Sequence, residues 1–173
     1  SALSKHASHP TIADYAETFK NMLAVDFLEK SKRALEGTPK NKKIYFTDPF
    51  IYWLALFKSR KINNASASSI DSATAGKLAE LSAFSNLMQD LDSRLNESDF
   101  DIRRHLFFEK IKTSETDFML KAGNKTFRIE CKFGKNEKEK KGIIYLTKDS
   151  FAKNKIPLAA FLMFPIESLK LAN

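Results

Sequence analysis

Two carboxylates and one lysine stand at a spacing that could bind a divalent metal ion and a phosphodiester. Asp117 lies in one short apolar run, and Glu130 and Lys132 lie in the next run, after a Gly-Asn turn. Carboxylate oxygens are the ligands that Mg²⁺ and Mn²⁺ prefer, and a neighbouring lysine offsets negative charge on a phosphate. In that chemistry Asp117 and Glu130 hold the ion, and Lys132 orients or activates the attacking water.

Two predicted strands position these residues. Strict alternation of apolar and polar residues predicts that 126–133 is a half-buried strand, so Glu130 and Lys132 share one face. The run 116–121 predicts a partner strand, joined to the first by a hairpin turn, and Asp117 can then lie across from Glu130. The alternative is a solvated strand face, which often carries Glu, Lys and Arg without binding a ligand.

A third acidic residue, Glu80, lies in the predicted amphipathic helix 76–95. Its position four residues before Phe84 puts it on the apolar stripe of that helix. A carboxylate there needs an ion-pair partner, a hydrogen bond or a metal ion. The alternative is that Glu80 stands at the helix N-terminus, where solvent is near and the helix dipole favours an anion.

In this order, Glu80, Asp117 and the triplet Glu130-Cys131-Lys132 resemble the motif of the PD-(D/E)XK nuclease superfamily. More closely, the chain is similar to domains found C-terminal to predicted bacterial and archaeal AAA-type ATPases. The further stretches that carry this resemblance are residues 43–50, 76–80, 115–118, 129–132 and 156–158.

The resemblance implies an α/β fold with a restriction-endonuclease-like core, in which helices flank a central mixed sheet. It implies that Asp117, Glu130 and Glu80 are ligands of Mg²⁺ or Mn²⁺, that Lys132 is the catalytic lysine, and that Glu80 is an accessory acid. It also implies a partner, the ATPase domain of the same full-length protein. The stretch after Phe133 departs from the pattern, because a parallel crossover usually takes a dozen or more residues and a helix.

The first 47 residues are predicted to be part of a winged helix-turn-helix that precedes a nuclease-like domain at 48–173. A helix over 11–20 would be the recognition helix, and strands at 24–32 and 43–47 would flank a basic wing. The alternative is a helix-hairpin spacer, or a module that contacts protein. The lysines expected to contact nucleic acid are Lys40, Lys42 and Lys43 of the wing and Lys135 of a later basic loop.

Composition is consistent with a nucleic-acid partner. The 173 residues carry a net charge of +8, and such an excess attracts phosphate backbones, although it also serves solubility alone. The single Cys excludes an internal disulfide and a Cys-rich zinc site within this chain. No apolar run reaches membrane-spanning length. With no secretory signal in the sequence, we expect a cytoplasmic protein with no membrane partner.

Together these patterns predict a nucleic-acid-interacting C-terminal domain of an AAA-type ATPase, with a Mg²⁺-dependent phosphodiesterase site and DNA as its partner. The chain itself has no ATPase motif, since Gly76-Lys77 lacks the other residues of a phosphate loop. The alternative function is a non-catalytic DNA- or protein-binding regulatory module of the ATPase.

Overall fold

A computed structural model describes most of the chain as helices around two β-sheets. The described residues are 9–31, 42–60, 70–95, 105–111, 114–133, 140–150 and 152–171. The helices within these ranges are α1 (His9–Asn21), α2 (Pro49–Arg60), α3 (Ser72–Leu95), α4 (Leu158–Met163) and α5 (Pro165–Leu171). The strands are β1 (Val25–Glu29), β2 (Lys42–Phe46), β3 (Leu106–Ile111), β4 (Ser114–Ala122), β5 (Lys125–Lys132), β6 (Ile144–Thr147) and β7 (Lys155–Pro157).

The larger sheet has five strands in the order β3-β4-β5-β6-β7. The β3–β4 and β4–β5 pairs are antiparallel, and the β5–β6 and β6–β7 pairs are parallel. The prediction of an α/β fold with a central mixed sheet flanked by helices is therefore confirmed. The predicted strand 126–133 is β5, and its predicted hairpin partner is β4, with the turn at Gly123 and Asn124.

The parallel β5–β6 pair is made although its connection is short. Ile129 pairs with Ile144, and the register continues to Lys132 beside Thr147. Only residues 133–143 join the two strands, and 134–139 of these lie outside the described residues. On the β6 side, the backbone N–H of Lys140 donates to the Tyr145 hydroxyl at 2.6 Å, which holds the end of the connection against the sheet.

The smaller sheet is the antiparallel pair β1–β2, and it shares its core with the larger one. Leu28 of β1 and Tyr45 of β2 are fully buried in the same apolar cluster as Phe84 and Phe118. Just beyond β1, Ser31 donates its N–H to the carbonyl of Phe108 in β3. The predicted domain boundary between residues 47 and 48 therefore does not separate two cores, because β2 completes the core that α3 and the larger sheet form.

Helix α3 covers one face of the five-stranded sheet and carries the apolar stripe that the sequence predicts. Phe84, Leu87 and Leu91 are buried on it. The helix begins at Ser72, four residues before the predicted start. Glu80 therefore lies in its third turn, so the alternative that Glu80 stands at the helix N-terminus is wrong. None of the helices described in this chain is long and apolar enough to cross a membrane.

Candidate functional site

A register shift between β3 and β4 decides where Asp117 points. Between two regular pairs of these strands, Asp117 and Phe118 together stand opposite the single residue Phe108. Two residues opposite one is the geometry of a β-bulge, which re-aims a side chain relative to simple alternation. Phe118 is buried under α3, where its ring stacks with that of Phe84. The bulge leaves Asp117 on this side as well, where its carboxylate reaches β2.

The centre of the site is the ammonium group of Lys43 in β2. Its Nζ lies 2.6 Å from Oε1 of Glu115, 3.3 Å from Oδ1 of Asp117 and 3.4 Å from Oε1 of Glu80. The Lys43 side chain is only 18% exposed. Three carboxylates from α3 and β4 thus converge on one cationic nitrogen, and we call these four residues the Lys43 cluster.

Glu80 has the most partners of the three acids. Besides Lys43, its Oε1 accepts a hydrogen bond of 2.5 Å from the Tyr45 hydroxyl, and its Oε2 lies 3.1 Å from Nζ of Lys77. Tyr45 is itself fully buried and stacks on Phe84. A carboxylate on the apolar stripe of α3 is therefore tolerated because a hydroxyl and two ammonium groups satisfy it.

Asp117 is also held at both oxygens. Its Oδ1 faces Lys43, and its Oδ2 accepts the backbone N–H of Cys131 at 2.9 Å. The β4–β5 ladder ends at the pair Phe118 and Ile129, so this side-chain bond satisfies an N–H that the ladder leaves over. The acid is thus built into the end of the hairpin, where a rotation of its side chain would cost a hydrogen bond.

The pKa values of these groups shift in different directions. Burial alone lowers the pKa of the Lys43 ammonium, but the negative charges of Asp117 and Glu80 outweigh burial, so that pKa is raised. Burial alone raises the pKa of Glu80, but Lys43, Tyr45 and Lys77 together hold it below its usual value. Burial and the charge of Glu80 raise the pKa of Asp117, although Lys43 opposes them. Glu80 is therefore the firmly ionised acid, and Asp117 is the one that takes up a proton more readily.

Charges in and around the Lys43 cluster balance. Lys110 of β3 lies 3.7 Å from the outer oxygen of Glu115, as Lys77 lies beside Glu80. Three ammonium groups therefore face three carboxylates at this end of the sheet. Lys43 and the three carboxylates are 14–36% exposed, so their attraction is stronger than that of exposed ion pairs. Lys77 and Lys110 are 40% and 50% exposed and contribute less.

Glu130 and Lys132 form a separate pair. They follow the alternation of β5, which directs their side chains away from the face of Ile129 and Cys131. Oε1 of Glu130 lies 2.7 Å from Nζ of Lys132, while Oε2 of Glu130 is buried with no hydrogen-bond partner.

Asp117 lies across from the region 130–132, where it accepts the backbone N–H of Cys131, but its other carboxylate oxygen contacts Lys43. The β4–β5 pairing stops one position before Asp117 and Glu130 would face each other, and the bulge directs Asp117 toward α3. The predicted residues thus form two groups, Glu80 with Asp117 and Glu130 with Lys132. Within the described ranges no group of three or more His, Cys, Asp or Glu side chains is arranged to hold a metal ion.

The lysines predicted to contact nucleic acid differ in their surroundings. Lys43 is enclosed by carboxylates and its side chain is mostly buried, so a contact of its ammonium group with nucleic acid stays a prediction. Lys42 is half exposed, pairs with Glu29 at 3.9 Å and lies over the ring of Phe27. The other two predicted contacts, Lys40 and Lys135, lie outside the described residues.

Sequence reasoning missed three residues of this site: Tyr45, Glu115 and the central role of Lys43. The sequence held part of this information. Lys43 and Tyr45 are two positions apart on one strand and so share a face, and the same is true of Glu115 and Asp117 on another strand. What linked them was the packing of β2 against α3 and β4, which no local pattern shows.

Comparison of the chain with protein-family models, with curated proteins and with solved structures gave no significant match. The geometry above therefore carries the functional argument.

Proposed function

We propose that this chain is a nucleic-acid-interacting domain with a metal-dependent phosphodiesterase site built on the Lys43 cluster. The observation that carries the proposal is the convergence of Glu80, Glu115 and Asp117 on one cation, from elements far apart in sequence. The partner proposed from the family resemblance is DNA, and the ATPase domain of the same full-length protein is proposed as a second partner.

The donors of the cluster fit Mg²⁺ or Mn²⁺. All three are carboxylates, and hard divalent ions take oxygen ligands. Asp117 and Glu80 would hold the ion with Glu115 beside them. Glu130, which the family resemblance implies as a ligand, points to the other face of β5 and does not join this cluster. Its buried Oε2 has no hydrogen-bond partner among the described residues and would accept a separate ligand. The bound ion would supply Lewis acidity and lower the pKa of a coordinated water.

The chain's own residues have defined roles in this proposal. Tyr45 and Lys77 hold the Glu80 carboxylate in place by the contacts described above. Lys43 supplies a positive charge among the acids and, once a divalent ion takes its place, is available to offset charge on a phosphate. Lys132 is paired with Glu130 on the other face of β5, so its role as the catalytic lysine rests on the family resemblance alone.

Titration calorimetry with Mn²⁺ and a cleavage assay test the proposal together. Asp117→Asn removes one ligand charge but keeps the hydrogen bond to Cys131, so we expect it to abolish both metal binding and cleavage of single- and double-stranded DNA. The matched control is Asp92→Asn on the exposed side of α3, which should change neither. Wild-type protein that binds no Mn²⁺ and leaves DNA intact across a range of salt concentrations would refute the enzyme.

One observation favours the alternative, a non-catalytic binding module. Lys43 already neutralises much of the negative charge of the cluster, so the acids can serve as a structural ion network without a metal. Under this alternative DNA binding survives Asp117→Asn and needs no divalent ion. A filter-binding measurement in EDTA separates the two functions.

A further inference from the structure

A second concave site lies at the opposite end of β5 from the bulge. It is a cavity of about 430 Å³ between the start of β5, the start of β6 and the turn before β7. This volume falls in the range of small-ligand sites. The residues used in the argument below are Phe127, Arg128, Lys141, Ile144, Lys153 and Asn154.

The charged side chains that line this cavity are positive. Arg128, Lys141 and Lys153 line it, and no carboxylate is among its described lining residues. Arg128 lies 3.7 Å from Oε2 of Glu109, but this ion pair engages Nε. A guanidinium has five N–H donors in a fixed fork, so a group paired through Nε still has donors for a phosphate. Three cations around one opening therefore select an anion.

Both loops that carry the lysines are anchored to one buried residue, Tyr145 of β6. Its hydroxyl accepts the N–H of Lys140, next to Lys141. Its own N–H donates to the carbonyl of Asn154, next to Lys153, at 2.8 Å. Gly142 has a φ of +77°, a left-handed conformation that glycine adopts without strain, and it makes the turn from Lys141 into β6. The cations are thus held in place before a ligand arrives.

The lining is apolar between the charged loops. Phe127 and Ile144 are buried residues whose atoms line it, and the Asn154 amide adds a group that both donates and accepts hydrogen bonds. A bare inorganic anion would leave such a lining unused. A phosphate attached to a flat organic group would use both parts, since bases stack on apolar and aromatic surfaces.

We propose that this cavity binds the phosphate of a nucleotide unit, with the rest of the nucleotide against the apolar part of its lining. This deepens the proposed function and rests on its nucleic-acid part. Arg128 precedes Cys131, which the Lys43 cluster contacts through Asp117, by three residues of β5. The separation is roughly 10 Å along the strand, and because the two are an odd number of positions apart, their side chains point to opposite faces of the sheet. The cavity is therefore a contact point separate from the Lys43 cluster.

Binding of phosphate compounds in EDTA tests the proposal without involving a metal ion. Titrating wild-type protein with inorganic phosphate, a nucleoside 5′-monophosphate and 5′-phosphorylated or 5′-hydroxyl oligothymidylate should show binding that Lys153→Gln weakens roughly tenfold or more. Arg128→Gln should act likewise, and the exposed Lys58→Gln on α2 should not. Tyr145→Phe should weaken binding although it leaves every charge in place, because it releases the Lys141 loop.

Each outcome has a defined meaning. Tighter binding of the 5′-phosphorylated strand than of the monophosphate supports a strand end as the source, and the reverse order supports a free nucleotide. Absence of binding, or equal weakening by Lys58→Gln, overturns the proposal. Asp117→Asn should leave this binding intact, so a failure of the metal site and a failure of the pocket are distinguishable. Lys153 is exposed, so its variant keeps the test valid even if Arg128→Gln fails to fold.

Discussion

Replacing Lys43 with Met is the sharpest perturbation of the Lys43 cluster. Met keeps an unbranched side chain of similar length but removes the ammonium group, which leaves Glu80, Glu115 and Asp117 facing one another. Removing one partner from a fully buried ion pair costs about 3–5 kcal/mol. The side chains here are 14–36% exposed, so solvent screens part of the loss, and we expect about 2–4 kcal/mol of unfolding free energy. For a chain of this length that lowers Tm by roughly 5–12 °C.

The loss should depend on pH with a defined sign. Because Lys43 helps to hold the pKa of Glu80 below its usual value, the stability from Glu80 is present above its unfolded pKa and is lost as pH falls through the folded pKa. The pKa of Lys43 is raised, so its own contribution persists until the solution is strongly alkaline. The deficit of the variant should therefore be full at pH 7 and shrink as pH falls through the folded pKa of Glu80, which lies below the unfolded value.

Urea denaturation at pH 7 and at about pH 3 measures both effects. The matched control is Lys42→Met, since Lys42 is 50% exposed and its ion pair with Glu29 spans 3.9 Å. That variant should lose less than about 1 kcal/mol. If Lys43→Met unfolds at the same urea concentration as Lys42→Met, or if its deficit is equally large at both pH values, the carboxylates do not hold Lys43 as described.

Three further predictions concern the groups around the cluster. Tyr45→Phe removes the hydroxyl that donates to Glu80 and should lower the unfolding free energy by about 1.5–3 kcal/mol, the range for a hydrogen bond to a charged group; an unchanged chemical denaturation curve would contradict this. Phe118→Ala should cost about 3–5 kcal/mol in the same assay, whereas Phe50→Ala at a 58% exposed position should cost far less. Burial, together with the negative charges of Asp117 and Glu80, raises the pKa of the Cys131 thiol, so little thiolate forms at pH 8. Iodoacetamide should therefore modify the native protein much more slowly than the chain unfolded in denaturant, and equal labelling rates would contradict this prediction.

The sequence was sufficient to predict the elements that have a local periodic pattern of apolar residues. Alternation over 126–133 predicts β5 because its apolar residues contact the core at every second position. The apolar stripe predicts α3, and the position of Glu80 on that stripe predicts that its carboxylate has partners, which the structure confirms. In each case the periodicity of one element contained the information.

Local sequence patterns did not predict which elements pack against one another. In the sequence, β1 and β2 resemble part of a separate module, because the two strands flank the basic stretch 40–43 that was predicted to be a wing. Only the contact of the smaller sheet with α3 shows that Tyr45 is fully buried and that Lys43 faces acids, because the apolar character of a five-residue strand does not say which surface it covers. The sequence patterns therefore predicted a boundary between residues 47 and 48 and a nucleic-acid contact at Lys43, but they showed neither the shared core nor the acids around Lys43.

Local sequence patterns also do not show the bulge at Asp117, and this bulge decides which carboxylates meet. Alternation alone would place Asp117 and Phe118 on opposite faces of β4, and Asp117 then faces Glu130. One extra residue opposite Phe108 moves Asp117 to the side of Glu80. The motif spacing remains unchanged by this shift, so a match of Asp to Glu-x-Lys in sequence does not determine which carboxylates meet in space.

Because Lys43 lies among the acids, replacing it with Met should lower the free energy of unfolding and strengthen metal binding in the same variant. Three carboxylates this close repel one another unless a cation lies between them, and in the described structure Lys43 supplies that charge. A divalent ion at the same place must displace it, so Lys43→Met should destabilise the protein in EDTA yet bind Mn²⁺ more tightly than the wild type. Saturating the variant with Mn²⁺ at about 100 times its Kd should then restore about 2.7 kcal/mol. A purely structural ion network predicts no such rescue, so this one comparison separates the metal site from the binding module.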